Sequence, residues 1–308
     1  MSTVFLGTSD FAATILERLA ARAQHRPSLV LTRPDRPRGR GRRLASPPVA
    51  ERARALGLAL EQPDSVNDDA TLARIAAAEP DAVVVCAFGA LIKEPLLSAH
   101  ELLNVHPSLL PRWRGAAPIE RAMMAGDAVS GVSIIRLTAG LDSGPICLAG
   151  AEPIAEHDTY GSLAPRLAQL GADLLLDALD RKAADGMLEF VEQDEVGVTY
   201  AEKITPEDRL LDPSRSAAEL ERVVRALSPH IGARVQLPDG SMMGVHAAAV
   251  AEAGDANGDR PPGVFERDGH LLLACEGGAL ELLRVQPPGA RAMDAGAYLR
   301  GRGLPGRA

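Results

Sequence analysis

The chain has 308 residues, 46% of them hydrophobic and 24% charged, which suits about two globular domains and excludes wholesale disorder. Lys and Arg number 33 against 41 Asp and Glu, and the net charge of −8 excludes indiscriminate nucleic-acid binding. Residues 1–7 lack a basic n-region and a long apolar h-region, and no run approaches ~18 uninterrupted apolar residues, so neither a signal peptide nor a membrane span is expected and the location is taken as cytoplasmic.

Val4-Phe5-Leu6 predicts a strand. Ser9 or Asp10 after it can cap a helix whose apolar face carries Phe11, Ile15, Leu16 and Leu19. Leu29-Val30-Leu31-Thr32 predicts a second strand. A basic segment follows, in which Arg33, Arg36, Arg38, Arg40, Arg42 and Arg43 crowd against one acid, Asp35. Such a patch on an acidic protein suits focused contact with a polyanion, although a solvated basic loop has the same composition. Pro47-Pro48 opens a helix, residues 58–60 form a short strand, and residues 70–78 read as a helix. Residues 82–88 are continuously apolar, as in a strand buried on both faces, and residues 102–106 are the next strand. Strands alternating with helices imply βαβ units and a doubly wound sheet, with ligands beyond the carboxyl ends of the strands. Gly7, Phe88 and His106 all fall at such ends.

Residues 118–125 predict a helix that Gly126 ends, and residues 132–137 alternate like a strand with one wet face. Residues 146–154 are its expected partner. Residues 159–184 predict a long helix with Pro165 near its first turn, where proline is tolerated. The register changes at residues 203–213. A helix over 216–227 presents Leu220, Val223, Val224 and Leu227 on one face. Short strand-like runs with turn signals then predict a small β-barrel, interrupted by a mobile loop over 253–262.

Asn104 and His106 lie two apart on one predicted strand, so their side chains share a face. Asp142 follows a later strand and sits between Gly140 and Gly144, where glycines permit a sharp turn and close approach to a ligand. An amide that can donate to an oxyanion, an imidazole that can exchange a proton, and a carboxylate that can hold one tautomer are the groups needed to move an acyl carbon onto an amine. The strand-to-helix turn Gly7-Thr8-Ser9-Asp10 is not Gly-x-Gly-x-x-Gly, so a nicotinamide cofactor is not expected, and the sequence has no Walker A, Gly-x-Ser-x-Gly or His-Glu-x-x-His motif. Cys86, Cys147 and Cys275 are far apart and lack zinc spacing, so they read as structural thiols and no metal is expected.

With Phe5-Leu6-Gly7-Thr8-Ser9-Asp10-Phe11-Ala12, the basic stretch over residues 33–44, Asn104-Val105-His106-Pro107-Ser108-Leu109-Leu110-Pro111, Arg114-Gly115-Ala116-Ala117-Pro118-Ile119, Leu141-Asp142-Ser143-Gly144 and Tyr200-Ala201-Glu202-Lys203-Ile204 in view, the chain resembles the methionyl-tRNA formyltransferase family over nearly its whole length. The resemblance implies an α/β fold, with a Rossmann-like formyltransferase domain over 1–187, a linker over 188–205 and a C-terminal OB-like, tRNA-binding barrel over 206–308. It implies 10-formyltetrahydrofolate as formyl donor and methionyl initiator tRNA as acceptor. Asn104, His106 and Asp142 become the catalytic set. Phe88, Gly89, Ala90, Leu91, Ser108, Leu109, Leu110 and Pro111 become the folate site, and Arg36, Arg38, Arg40, Arg42 and Arg43 the tRNA contacts. A monomer is expected. The core motif is shared with enzymes that formylate sugar-nucleotide or ribonucleotide amines, which would leave the arginine segment idle. A non-catalytic RNA-binding module is a further alternative, against which the intact Asn104, His106 and Asp142 set speaks.

Overall fold

A computed structural model of the chain describes residues 1–38, 43–251 and 261–305. The first elements are β1 (Thr3–Gly7), α1 (Asp10–Ala20), β2 (Pro27–Leu31), β3 (Arg36–Arg38), β4 (Arg43–Ala45), α2 (Pro48–Ala55), β5 (Leu60–Glu61), α3 (Asp69–Ala77), β6 (Ala82–Cys86), α4 (Leu96–Ala99) and β7 (Leu102–His106). They continue through β8 (Arg114–Gly115), α5 (Pro118–Ala125), β9 (Val129–Arg136), β10 (Ile146–Pro153), α6 (Tyr160–Asp185) and β11 (Tyr200–Ala201). The remainder is α7 (Ala217–Leu227), β12 (Ala233–Gln236), β13 (Met242–Val250), β14 (Gly263–Arg267), β15 (His270–Cys275), β16 (Gly278–Gln286), β17 (Met293–Asp294) and α8 (Ala295–Arg302).

A seven-stranded sheet has the order β10-β9-β7-β6-β1-β2-β5. The five strands from β7 to β5 are parallel, and β9 and β10 add an antiparallel edge. All five residues of β1, β6 and β7 are buried, as the continuous apolar run over 82–88 predicts for a strand covered on both faces. Ser9 is the N-cap of α1 and accepts from the Ala12 N–H, so the chain turns from strand to helix directly after Gly7. The carboxyl ends of β1, β6 and β7 lie on one rim, with Gly7 opposite Cys86 and Val85 opposite Asn104.

One expectation fails at β9. Residues 132–137 alternate in sequence, yet six consecutive residues, Ser130 to Ile135, are buried. The strand's two faces are covered by α6, where Gly171 meets Val132, and by the loop after β7, where Leu109 lies over Gly131, so neither face is wet. Ser133 remains satisfied because its hydroxyl donates to the Ser108 carbonyl at 2.8 Å and accepts from the Leu110 N–H at 3.2 Å. The helix α6 covers β7 and β9 closely. A Cβ at Gly171 would stand 3.0 Å from Val105 Cγ1 and 3.3 Å from Val132 Cγ1, so glycine sets how near the helix can come.

The basic segment is not a simple interruption. Arg36 pairs with Ala45, and Arg38 with Arg43, as the arms of an antiparallel hairpin. Arg40 and Arg42 lie outside the described residues, as does most of the loop expected over 253–262.

The chain groups into two compact units. One comprises Met1–Gly115, Val129–Pro153 and Ala164–Tyr200; the other comprises Ala116–Ala128, Ile154–Leu163 and Ala201–Ala308. The second unit holds an antiparallel sheet of order β12-β13-β16-β15-β14, with β17 paired to β16, a half-barrel of the OB-like type. Its core places Leu220, Val223, Val224 and Leu227 of α7 against Val235, Met243, Val245, Leu280 and Leu282. Each such fully buried side chain contributes roughly 1.5–3 kcal/mol. Ser216 and Glu219 form a reciprocal capping box that starts α7. Within this unit Arg121 of α5 grips Asp208 with two hydrogen bonds, of 2.8 and 2.7 Å. The Thr205 N–H adds a third to the same carboxylate at 2.9 Å.

The Arg121 guanidinium holds the Asp208 carboxyl below its usual range. A depressed carboxylate pKa in the folded state contributes stability that is present above the unfolded value and lost as pH falls through the folded one. Arg121→Ala is expected to lower stability by roughly 1–2 kcal/mol near neutral pH. The deficit should vanish as pH drops below the ordinary carboxylate range. Urea unfolding of both proteins across that range checks the sign.

Candidate active site

Asn104 and His106 point to one face of β7, and Val105 between them points to the other, onto Gly171 of α6. Both polar side chains are buried, at 8% and 4% exposure. Asp142 reaches them from the loop between β9 and β10. That loop crosses the chain tightly, because a Cβ at Gly144 would stand 1.8 Å from the Arg136 carbonyl oxygen. No other residue fits there without moving the loop. The left-handed residue in the turn is Asp142 itself, with φ of 44°, a conformation that Asp tolerates better than most.

The Asp142 carboxylate is held at both oxygens. Oδ1 accepts from Asn104 Nδ2 at 3.3 Å, and Oδ2 accepts from the Gly115 N–H at 2.9 Å. His106 Nδ1 lies 3.6 Å from Oδ2. His106 Nε2 lies 2.9 Å from the Trp113 carbonyl oxygen. A carbonyl only accepts, so Nε2 carries hydrogen and donates. The tautomer is therefore set by the Trp113 backbone, and the expectation that Asp142 fixes it is corrected. The reason is geometric: Asp142 approaches the opposite ring nitrogen, at a distance longer than a hydrogen bond. With Nε2–H engaged, a neutral His106 has no second N–H. Only the imidazolium can donate through Nδ1, and Asp142 stands beside that nitrogen to balance its charge.

Trp113 presents its carbonyl from a strained backbone, with φ of 64°. Its own N–H donates to Thr199 Oγ1 at 2.9 Å. Ala87, Trp113 and Asp142 all have positive φ and lie in loops at the same rim. Each such position costs about 1–3 kcal/mol and persists only where its surroundings hold it.

The residues expected at a folate site divide into two groups. Ser108 and Leu110 are buried, at 1% and 9% exposure. The Ser108 hydroxyl donates to the Arg112 carbonyl at 2.7 Å, so these two brace the loop from beneath. Leu109 and Pro111 are half-buried. Phe88 belongs to the core between Val85 and Leu96. The carbonyls of Phe88, Gly89 and Leu91 accept from Thr8 Oγ1, Arg33 Nη1 and Asn67 Nδ2, at 2.8, 3.1 and 2.8 Å. Ala90 is half-buried, Gly89 is exposed, and Leu91 is 68% exposed, so this stretch offers backbone and one apolar side chain. A cavity of about 380 Å³ joins Thr8, Phe88 and Gly89 to Arg33, Arg36 and Ser46. It links the rim to the root of the arginine hairpin.

The described cysteines are free. Burial pushes the thiols of Cys86, Cys147 and Cys275 up, away from nucleophilic thiolate. Among the described residues no helix is long and apolar enough to cross a membrane. Three contributors were not among the expected site residues: the Trp113 carbonyl and the Gly115 N–H, which are backbone groups, and Gln193, which hydrogen-bonds the Asp142 loop.

Residues 1–179 match the formyl transferase family, and residues 203–303 match the formyl transferase C-terminal domain family. The chain is 42% identical over 307 residues to a methionyl-tRNA formyltransferase of Methylobacillus flagellatus, covering 99% of this chain and 97% of that relative. Two solved structures share its fold at lower identity. HypX of Aquifex aeolicus in complex with tetrahydrofolic acid aligns at a TM-score of 0.65 and 17% identity, over 99% of this chain and 47% of that one. An N-formyltransferase of Helicobacter canadensis, in complex with folinic acid and dTDP-3-aminofucose, aligns at 0.65 and 14%, over 94% and 99%. The strand-end position of Asn104 and His106, the loop that delivers Asp142 and the full-length likeness agree, and the chain belongs to the methionyl-tRNA formyltransferase family.

Proposed function

We propose that the chain transfers the formyl group of 10-formyltetrahydrofolate to the free amine of methionyl initiator tRNA, with Asn104, His106 and Asp142 as the catalytic groups. The convergence of these three side chains at the carboxyl rim of the sheet carries the reading. The likeness to the Methylobacillus relative supports the acceptor, and so does the cavity that continues from the rim to Arg33 and Arg36. The tetrahydrofolic acid bound by HypX supports the donor class. Gly89, Ala90 and Leu91, with Leu109 and Pro111, are the proposed folate contacts that retain exposure.

The donor supplies an activated carbonyl carbon and a nitrogen leaving group. The attacking amine must be neutral. As its nitrogen bonds to the formyl carbon, the formyl oxygen gains negative charge. Asn104 has one amide N–H directed at Asp142 and a second to offer that oxygen. His106, as imidazolium, offers Nδ1–H. Asp142, a carboxylate beside the imidazolium, accepts the amine proton directly or through water and so becomes transiently protonated. The proton passes to the leaving nitrogen, and the formyl C–N bond to the donor breaks. Buried, prepositioned donors stabilise such developing charge strongly because they need no reorganisation.

Asn104→Ala is expected to lower kcat about 10²- to 10³-fold as a lost oxyanion donor. His106→Ala should lower it about 10²- to 10⁴-fold. Near-normal turnover of either folded variant with formyl donor and methionyl-tRNA would refute the mechanism.

The arginine hairpin is the proposed phosphate contact for the acceptor. Replacing Arg38, Arg40 and Arg42 with alanine should flatten the salt dependence of tRNA binding by about 0.7–0.9 in log–log slope per lost contact. It should raise KM for methionyl-tRNA while leaving KM for the donor unchanged. An unaltered slope would show that the hairpin makes no phosphate contact. Comparing initiator with elongator methionyl-tRNA, and with nucleotide-sugar amines, tests the acceptor directly.

A further inference from the structure

The stretch over residues 191–199 carries no motif, yet it is tied to both loops that build the site. Val191 exchanges two backbone hydrogen bonds with Ile146, of 2.8 and 2.9 Å, although its side chain is exposed. Thr199 accepts the Trp113 N–H on its hydroxyl and the Arg114 N–H on its carbonyl, each at 2.9 Å. Gln193 lies between these anchors. Its Nε2 donates to the Asp142 carbonyl at 2.8 Å and to the Gly144 carbonyl at 2.7 Å. Its Oε1 accepts from Arg114 Nε at 3.0 Å. Both amide hydrogens and the amide oxygen are thus engaged.

We infer that Gln193 is a positioning residue for formyl transfer, acting through Asp142. The inference rests on the reading of Asn104, His106 and Asp142 as the catalytic groups. Asp142 sits at φ of 44° in a loop that Gly144 brings against the Arg136 carbonyl. A turn of that kind needs outside support to keep one conformation. Gln193 supplies it by holding the carbonyls on both sides of Ser143. Through Oε1 it also fixes Arg114, whose neighbour Gly115 donates its N–H to the Asp142 carboxylate. One side chain therefore registers the carboxylate and the backbone donor that orients it. Misplacing a catalytic group by about 1 Å costs on the order of 10²-fold in rate.

The chemistry of the three contacts makes the idea separable from a merely structural role. Glutamate has the shape of glutamine and can still pair with the buried Arg114. It has no N–H, so it turns a carboxylate oxygen toward the two carbonyls and releases the loop. Gln193→Glu is expected to lower kcat about 10- to 100-fold, with KM for donor and for methionyl-tRNA within about twofold of wild type and the fold retained at assay temperature, the melting temperature falling by only about a few degrees for the two carbonyls that lose a donor. Gln193→Met, which fills the space without polar contacts, should behave alike. Because Gln193 acts through Asp142, adding Gln193→Glu to Asp142→Asn should cost less than about threefold more, a strong departure from additivity.

Full kcat in Gln193→Glu beside an impaired Asp142→Asn would overturn the role of Gln193 and leave the site intact. Full kcat in Asp142→Asn would overturn the reading of the site itself. Additive losses in the double variant, or loss of folding by both the Glu and Met variants, would make Gln193 a general structural residue and overturn the inference as well.

Discussion

The hydrogen bond from His106 Nε2 to the Trp113 carbonyl constrains the rest of the site. A carbonyl cannot donate, so the bond commits one ring nitrogen and leaves Nδ1 as the only nitrogen that can serve a reacting group. Nδ1 faces Asp142 across 3.6 Å. From that one commitment it follows that His106 can donate through Nδ1 only when the ring is doubly protonated. The carboxylate is in turn a poor neighbour for an unprotonated Nδ1, because two acceptors would face each other.

Holding that geometry occupies much of the surrounding chain. Trp113 must keep a left-handed backbone for its carbonyl to face the ring, and Thr199 anchors its N–H. The strand that carries Asn104 and His106 is buried along its length and backed by α6 at Gly171. Ser133 on β9 ties the loop after His106 to the sheet through two hydrogen bonds. Rigid strand ends thus set the amide and the imidazole, and strained, heavily bonded loops set the carboxylate and the carbonyl. Polar networks of this kind are stabilising only when every member is satisfied, which explains why so many backbone groups near the site are engaged.

Much of this was legible in the sequence, and the reason differs from residue to residue. The run over 82–88 and the pair Asn104 and His106 follow side-chain periodicity, which a strand transmits directly. Ser9 before α1 and Pro118 at the start of α5 are helix-start signals with a local cause. Alternation misled at β9, because Ser133 looks solvent-facing until the loop over 108–110 is folded onto it. Asp142 was visible as a residue between glycines, but its own left-handed conformation was not, since Gly144 is required for close approach rather than for its φ. The Trp113 carbonyl and the Gly115 N–H were illegible in principle: every residue has a backbone, and only the fold selects which one meets His106 or Asp142. Gln193 was illegible for a related reason, since a single amide between the acidic residues Glu192 and Asp194 carries no periodic or motif signal.

The same division separates chemistry from choice of acceptor. In the proposed mechanism Asn104, His106 and Asp142 meet only a reacting amine and a formyl oxygen, features common to any amine that is formylated, so they carry no information about what the amine is attached to. Discrimination must come from groups farther along the acceptor. On the proposed reading, a chain with a net charge of −8 repels a polyanionic acceptor in general, and the arginine-rich segment, whose root opens into the cavity beside Thr8 and Gly89, supplies local attraction. Repulsion elsewhere disfavours binding in other orientations as effectively as attraction favours the right one. On that reading, local attraction beside the reactive rim of an acidic protein orients a long nucleic acid better than a uniformly basic surface would.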